Sequence, residues 1–353
     1  MDILTLVPLS VHVSRLQSSR EAEGLLAGRG VAVHQDLGLL VLSCSNKLQV
    51  FVLPEHIARG DVGSPRELTH VRTLGGGVAP MDFHFYDSGY MAFTDGSLLD
   101  STLLLVTDTG KFGHAGNSNR DAVHVIDVVR GTHVGYLAAP GTIFYPRGVA
   151  ARKSLAAVGC WDSGHAGNAV RVFEGSGATW TVVRLIVGVL SLPSGLRFTA
   201  DGLRLAVADY SYQRVRIFCA QNGCFLCDIP VAADECAIFP LDVEECGSEW
   251  VICHPRGLVA VADTDTDTHT HAGVARRTNF DIDFFCLSLA LVPGLGPVVR
   301  HEKGVHFFAT PDAVAMAAMS PCKVAWMVAV CRGLVALTMA RRRSCVGRFD
   351  QET

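Results

Sequence analysis

Residues 193–218 read PSGLRFTADGLRLAVADYSYQRVRIF, and the alternation in this stretch decides the fold. Residues 195–198 form a first short strand. Ala200-Asp201-Gly202 then turns the chain, because glycine tolerates the positive φ that a tight hairpin needs. Residues 205–208 form a second strand, 210–213 a second turn, and 215–218 a third strand. The Gln221-Asn222-Gly223 turn would lead into a fourth strand over 224–229.

The same phrase recurs along the chain. One copy runs through 30–33, 38–42 and 47–51, and another joins 103–108 to 122–126. A third comprises 147–150, 155–159 and 169–173, and a further one 289–292, 296–299 and 304–308. Between these, 240–243 and 249–253 open a copy whose later strands are obscure. Including 193–218, the copies number six. Asp108, Asp162 and Asp209 hold equivalent positions and lie 54 and 47 residues apart. A period near fifty with three or four short strands per copy is the signature of propeller blades. Roughly 300 residues at that period make about six blades, and closing the ring removes long sheet edges. The expectation is an all-β, six-bladed β-propeller over 1–309, an apolar helical tail over 310–343 and a flexible C-terminus over 344–353.

Residues 205–209 (LAVAD) followed by 214–218 (RVRIF) resemble an NHL repeat, an apolar strand ending in Ala-Asp, a polar turn, then Arg-(Ile/Val)-x-(Val/Ile)-Phe. The likeness is close at 193–218, good at 146–173, fair at 30–51, stretched at 81–128 and degraded at 240–309. It implies the propeller fold without implying an activity, since one fold hosts many functions. The NHL resemblance brings with it protein ligands, RNA bound on a basic rim, and RING-type ubiquitin-ligase assemblies. This chain carries no paired CxxC clusters at RING spacing.

Composition narrows the classes. The 353 residues carry 30 Lys+Arg against 34 Asp+Glu, a net charge of −4, with 49% hydrophobic and 18% charged residues. So apolar a chain folds, and its mild negative charge argues against life on a polyanion. Gly accounts for 35 residues, about 10% against the usual 7% or so, as a turn-rich chain needs. The start, MDILTLVP, lacks the basic region of a secretory signal, so the twelve cysteines are expected to be thiols in the reducing cytoplasm. Cys224 and Cys227 form a CxxC, but residues three apart on a strand point to opposite faces and cannot close on one zinc ion. Residues 324–340 are a 17-residue apolar run with Arg332 in the middle. That is shorter than the roughly 20 residues a bilayer asks for, so a helix packed on the ring or on a partner is preferred to a membrane span. Thr310-Pro311-Asp312 and Ser320-Pro321 are helix starts, for helices over 311–319 and 321–342.

Candidate sites are few. Asp108, Asp162 and Asp209 each end a strand and open a polar turn, where a carboxylate accepts backbone N–H bonds and pairs with an arginine such as Arg214. Recurrence in successive blades marks them as framework. The pentapeptide GHAGN occurs twice, at 113–117 and 164–168, in the same turn of adjacent blades. His114, Asn117, His165 and Asn168 are therefore expected on one rim, as ligand contacts, as an acid–base pair, or as the exposed remnant of a duplicated loop. Residues 263–271 read DTDTDTHTH, so an extended chain would turn Asp263, Asp265, Asp267, His269 and His271 to one side, a weak zinc or calcium patch. As a calcium loop it fails, with Thr268 at the glycine position and Val274 at the glutamate position; low-complexity expansion explains it as well. No GxSxG elbow, Walker loop or HExxH is present. The favoured reading is a non-enzymatic scaffold that presents its loop rim to a protein partner and needs no cofactor. The alternative is a metal-dependent hydrolase or lyase of the six-bladed kind, working in the pore.

Overall fold

In a computed structural model, the described residues are 7–9, 28–53, 68–76, 80–83, 85, 88–94, 103–109, 120–160, 167–231, 238–246, 249–262, 277–281, 286–292, 296–301 and 304–309. They form 24 strands in six four-stranded antiparallel sheets. Strand β1 (Val7–Leu9) stands apart in sequence from its sheet. Blade 1 comprises β2 (Val31–His34), β3 (Leu39–Cys44), β4 (Lys47–Val52) and β5 (Thr69–Gly75). Blade 2 comprises β6 (Met91–Phe93), β7 (Leu103–Asp108), β8 (Ala122–Asp127) and β9 (Thr132–Ala138). In blade 3 the strands are β10 (Pro146–Arg152), β11 (Leu155–Cys160), β12 (Ala169–Ser176) and β13 (Thr179–Val187). Blade 4 holds β14 (Pro193–Phe198), β15 (Arg204–Asp209), β16 (Arg214–Cys219) and β17 (Phe225–Pro230). Blade 5 holds β18 (Asp242–Cys246), β19 (Glu249–His254), β20 (Gly257–Ala262) and β21 (Arg277–Asp281). Blade 6 is built from β22 (Cys286–Val292), β23 (Gly296–His301) and β24 (Gly304–Ala309), with β1 as its fourth strand.

Local chemistry makes the hairpins. In blade 4, Asp201 Oδ1 accepts the Leu203 N–H at 2.8 Å and the Thr199 hydroxyl at 2.5 Å, while Gly202 takes φ +77°. That is an Asx-type turn, which fixes the register of Leu196 opposite Val207. Period-two alternation then divides β15 between two neighbours. Leu205 and Val207 pack with Val170 and Val172 of blade 3, whereas Ala206 and Ala208 pack with Trp250 and Ile252 of blade 5.

Each of the six seams holds such a cluster. Val41 and Val50 meet Leu104 and Val106 between blades 1 and 2, and Val123 and Val125 meet Ala156 and Val158 between blades 2 and 3. Val251 meets Leu289 between blades 5 and 6, and Leu40 and Leu42 meet Val298 and Phe307 between blades 1 and 6. Burying one such Val or Leu contributes about 1.5–3 kcal/mol. The inner strands pack in turn, β2 on β6, β6 on β10, β10 on β14, β14 on β18, β18 on β22 and β22 on β2. The ring is therefore closed, and the fold is the expected six-bladed propeller.

Closure uses both ends of the ring sequence. Val7, Pro8 and Leu9 pair with Ala309, Phe308 and Phe307, so the first strand becomes the outermost strand of the last blade. Proline is tolerated there because an outer edge leaves its missing N–H without a role. Residues 310–353, with both expected helices, lie outside the described residues. Among the described residues no helix is long and apolar enough to cross a membrane.

Candidate functional site: a blind axial funnel

Of the repeated aspartates, Asp209 is the one seen holding backbone N–H groups. Asp209 is buried at the end of β15; its Oδ2 accepts the Ser191 N–H at 3.0 Å and its Oδ1 the Leu192 N–H at 3.1 Å. It thus ties the β15–β16 turn to the segment that enters β14. The nearest guanidinium is that of Arg216, with Nε 3.6 Å from Oδ2, while Arg214 donates to Asp228 at 2.7 Å. Asp108 has the same register in blade 2, opposite Ala122 as Asp209 is opposite Arg214. Its Oδ2 lies 3.4 Å from His124 Nε2, and His124 Nδ1 lies 3.2 Å from His133 Nε2. Burial, then the neighbouring His124, holds the His133 pKa down to about 4. Asp121, unremarked in the sequence reading, is buried and accepts the Tyr145 N–H at 2.7 Å ahead of β10; burial raises its pKa to about 6.

Several expected site residues fall outside the described ones: Asp162, His114, Asn117, His165, and Asp263, Asp265, Asp267, His269 and His271. Asn168 is described; it precedes β12, and its buried Oδ1 has no hydrogen-bond partner. Strand direction still sorts the loops by face. The GHAGN segments join second to third strands, whose facing ends (Asp108 and Ala122, Cys160 and Ala169) lie where the inner strands begin. The 263–276 segment joins β20 to β21, whose facing ends lie where the inner strands finish. Cys224 precedes β17 and is exposed, Cys227 lies within it, and all eight described cysteines are free thiols.

At the face where the inner strands finish, a cavity of about 380 Å³ opens on the axis, with every blade in its wall. His34, Phe93, Arg152, Arg197, Glu245 and Leu291 represent blades 1 to 6 in order. Two of these, Arg152 and Glu245, are tied together through the β14–β15 turn. Arg152 of blade 3 donates to the Ala200 carbonyl, and the Ala200 N–H donates to Glu245 Oε2 of blade 5 at 2.5 Å. A cation and an anion from two blades thereby hold Ala200 of the blade between them by both its carbonyl and its N–H. Arg197 pairs through Nε with the buried Glu244 at 2.9 Å. Burial raises the Glu244 pKa to about 7 against the opposing pull of Arg197. His34 accepts the Leu37 N–H on Nδ1 at 3.2 Å and sets its ring against Phe93 at 5.0 Å, edge to face. Burial lowers its pKa, while Asp36 acts in the opposite direction.

The opposite end of the axis is filled. Tyr90, just ahead of β6, reaches past blade 3 to Ser194 of β14, hydroxyl to hydroxyl at 3.1 Å. Around it the inner strands approach to backbone contact: a Cβ on Gly30 would overlap the Gly89 carbonyl, and one on Gly148 the Ser194 carbonyl. Asp242 is buried in the same layer, accepting the Leu289 N–H at 2.9 Å and the Val243 N–H at 3.0 Å. Burial raises its pKa to about 8, so it holds a proton at neutral pH. Among the described residues, then, the axis is a funnel that opens where the inner strands finish and is filled where they begin.

The sequence reading did not single out Tyr90, Ser194, Arg152, Arg197, Asp242 or Glu245. Part of a signal existed, since His34 and Arg152 each end a largely apolar inner strand. Their convergence depends on the ring.

No protein-family model matches the chain, and no curated protein matches it in sequence. Among solved structures, the chain is similar to the Dos1 propeller at 9% identity and a TM-score of 0.49, over 80% of this chain and 67% of that one. A chain of a nidogen/laminin complex gives 14% identity and 0.48, over 76% and 91%. A chain of a mitotic checkpoint complex gives 10% and 0.48, over 86% and 94%.

Proposed function

We propose that this chain is an NHL-like propeller that works as a non-enzymatic scaffold, seating a segment of a protein partner in the axial funnel. The observation that carries the reading is the funnel wall. Every blade contributes to it, and Arg152, Arg197 and Glu245 are already engaged with Ala200, Glu244 and Ala200 respectively. A wall of pre-ordered donors and acceptors beside Phe93 and Leu291 is suited to holding a partner's side chains without first losing its own order. The aspartate that ends a strand and secures the chain entering the inner strand supports the NHL-like part of the reading.

The test fills the funnel. Ala151→Trp and Leu291→Arg, made in the full chain, should keep the wild-type circular dichroism and lose most of the protein partners that wild type retains in quantitative affinity capture. Retention of the same partners by both variants would overturn the proposal, as would recovery of RNA in place of protein.

A further inference from the structure

Building on the reading of the funnel as a partner site, we propose that the segment seated there is amphoteric, with an acidic side chain facing Arg197 of blade 4 and a basic one facing Asp36 of blade 1. The charged groups of the wall are sorted by blade. Arg152 and Arg197 stand on the adjacent blades 3 and 4, whereas Glu245 and Asp36 stand on blades 5 and 1, with Leu291 of blade 6 between them. Blades 1 and 4 face each other in a closed ring of six, so Arg197 and Asp36 come from opposite sides of the axis.

Each of the two has capacity left for a ligand. The Arg197 side chain is 41% exposed and engages Glu244 through Nε; no other hydrogen bond or ion pair holds it among the described residues. Burial raises the Glu244 pKa to about 7, so at neutral pH that carboxylate offsets the guanidinium charge only in part. Asp36 is exposed in the β2–β3 turn and makes no hydrogen bond or ion pair among the described residues. His34 beside it is uncharged at neutral pH, because burial lowers its pKa, so blade 1 brings a negative charge to the wall.

A wall with both signs selects against a ligand with one. A purely acidic segment, or RNA with its phosphates, would meet Asp36 and Glu245, and a purely basic segment would meet Arg152 and Arg197. A segment carrying both signs gives each side of the wall a counter-charge as water leaves. Guanidinium and carboxylate match in shape as well as charge. Phe93 and Leu291 offer apolar surface for the stems of long charged side chains. The volume of about 380 Å³ lies near the lower end of the roughly 300–1,000 Å³ of ligand pockets, which suits a short stretch of chain and excludes a folded element.

Short acetylated and amidated peptides with Glu only, Lys only, both or neither, titrated against the full chain by fluorescence anisotropy, test this. The mixed peptides should bind about tenfold tighter than the neutral ones, the scale of one charge-assisted contact. Asp36→Lys, at an exposed turn, should shift the preference to Glu-only peptides, and Arg197→Gln should weaken the mixed ones about tenfold, both with unchanged circular dichroism. Mixed peptides that bind no tighter than the others, a preference unmoved by both variants, or peptide binding that survives Ala151→Trp would each overturn the proposal. Loss of the protein partners in Ala151→Trp together with an unmoved peptide preference would remove the amphoteric assignment alone; retention of those partners would remove the partner-site reading beneath it.

Discussion

The Tyr90 hydroxyl stands 3.1 Å from the Ser194 hydroxyl, so that one bond spans blades 2 and 4 and seals the axis. Tyr90 is 3% exposed, and its ring fills the space that the glycine-rich starts of the inner strands leave at the centre. Burial raises its pKa, with Arg29 and Arg147 acting against the shift, which keeps the hydroxyl protonated and able to donate.

Tyr90→Phe should keep the packing and lose the bond, lowering unfolding free energy by about 1 kcal/mol. Tyr90→Ala should cost about 3–5 kcal/mol, the range for emptying a buried aromatic site. Urea unfolding with an unchanged m-value would check both; equal losses would mean that the hydroxyl, not the ring, holds the axis.

Asp209 and Arg214 separate a buried tie from an exposed pair. Asp209→Ala strands the N–H groups of Ser191 and Leu192 and should cost about 2–6 kcal/mol, at about 1–3 for each unsatisfied group. The Arg214 side chain is 40% exposed, so Arg214→Ala should change stability by about 0–1 kcal/mol despite its 2.7 Å contact with Asp228. Thermal melts of the two variants side by side would distinguish these roles.

Stability should fall as pH rises from about 6.5 to 8. Asp242 and Glu244 have folded pKa values raised to about 8 and about 7, chiefly by burial. In that window the native state holds protons that the unfolded state has released, so their contribution is complete below the unfolded pKa and fades through the folded one. His133, lowered to about 4, works in the opposite sense, but only between about 4 and 6.5. Denaturant midpoints at several pH values should decline above 6.5, with a slope below about 1.4 kcal/mol per pH unit for each group. Asp242→Asn should flatten that slope whatever its effect at low pH; an unaltered slope would remove Asp242 from the account.

Deleting residues 1–9 should open blade 6. Three residue pairs between β1 and β24 are lost, for about 2 kcal/mol or more, and the outer edge of β24 is uncovered. A lower melting temperature with concentration-dependent aggregation is expected; a chain that melts at the wild-type temperature would show that the first strand does not close the ring.

The blades were most legible where turn chemistry and alternation coincide. Thr199-Ala200-Asp201-Gly202 turns by itself, and Leu205–Ala208 must be buried on both faces, so strands β14 to β16 follow from local residues alone. Blade 2 was harder to read, because its inner strand is only Met91–Phe93, well separated from Leu103. The later strands of blade 5, Gly257–Ala262 and Arg277–Asp281, are parted by a segment with no repeat pattern. At Asp209 the backbone role suggested by recurrence is visible, yet its cation was not legible: Arg214 and Arg216 lie on the same face of β16, and it is Arg216 whose Nε lies 3.6 Å from Asp209 while Arg214 pairs with Asp228.

Sequence alone determined that short antiparallel sheets repeat and about how many there are, because period-two patterning and hairpin turns are set within a few residues. Tertiary structure decided the rest. It sent the first strand to the last blade, brought Tyr90 to Ser194, and gathered His34, Arg152 and Glu245 around one funnel. Those contacts link residues from 45 to more than 300 positions apart. They exist only because the ring closes, and no local pattern encodes the distance across it.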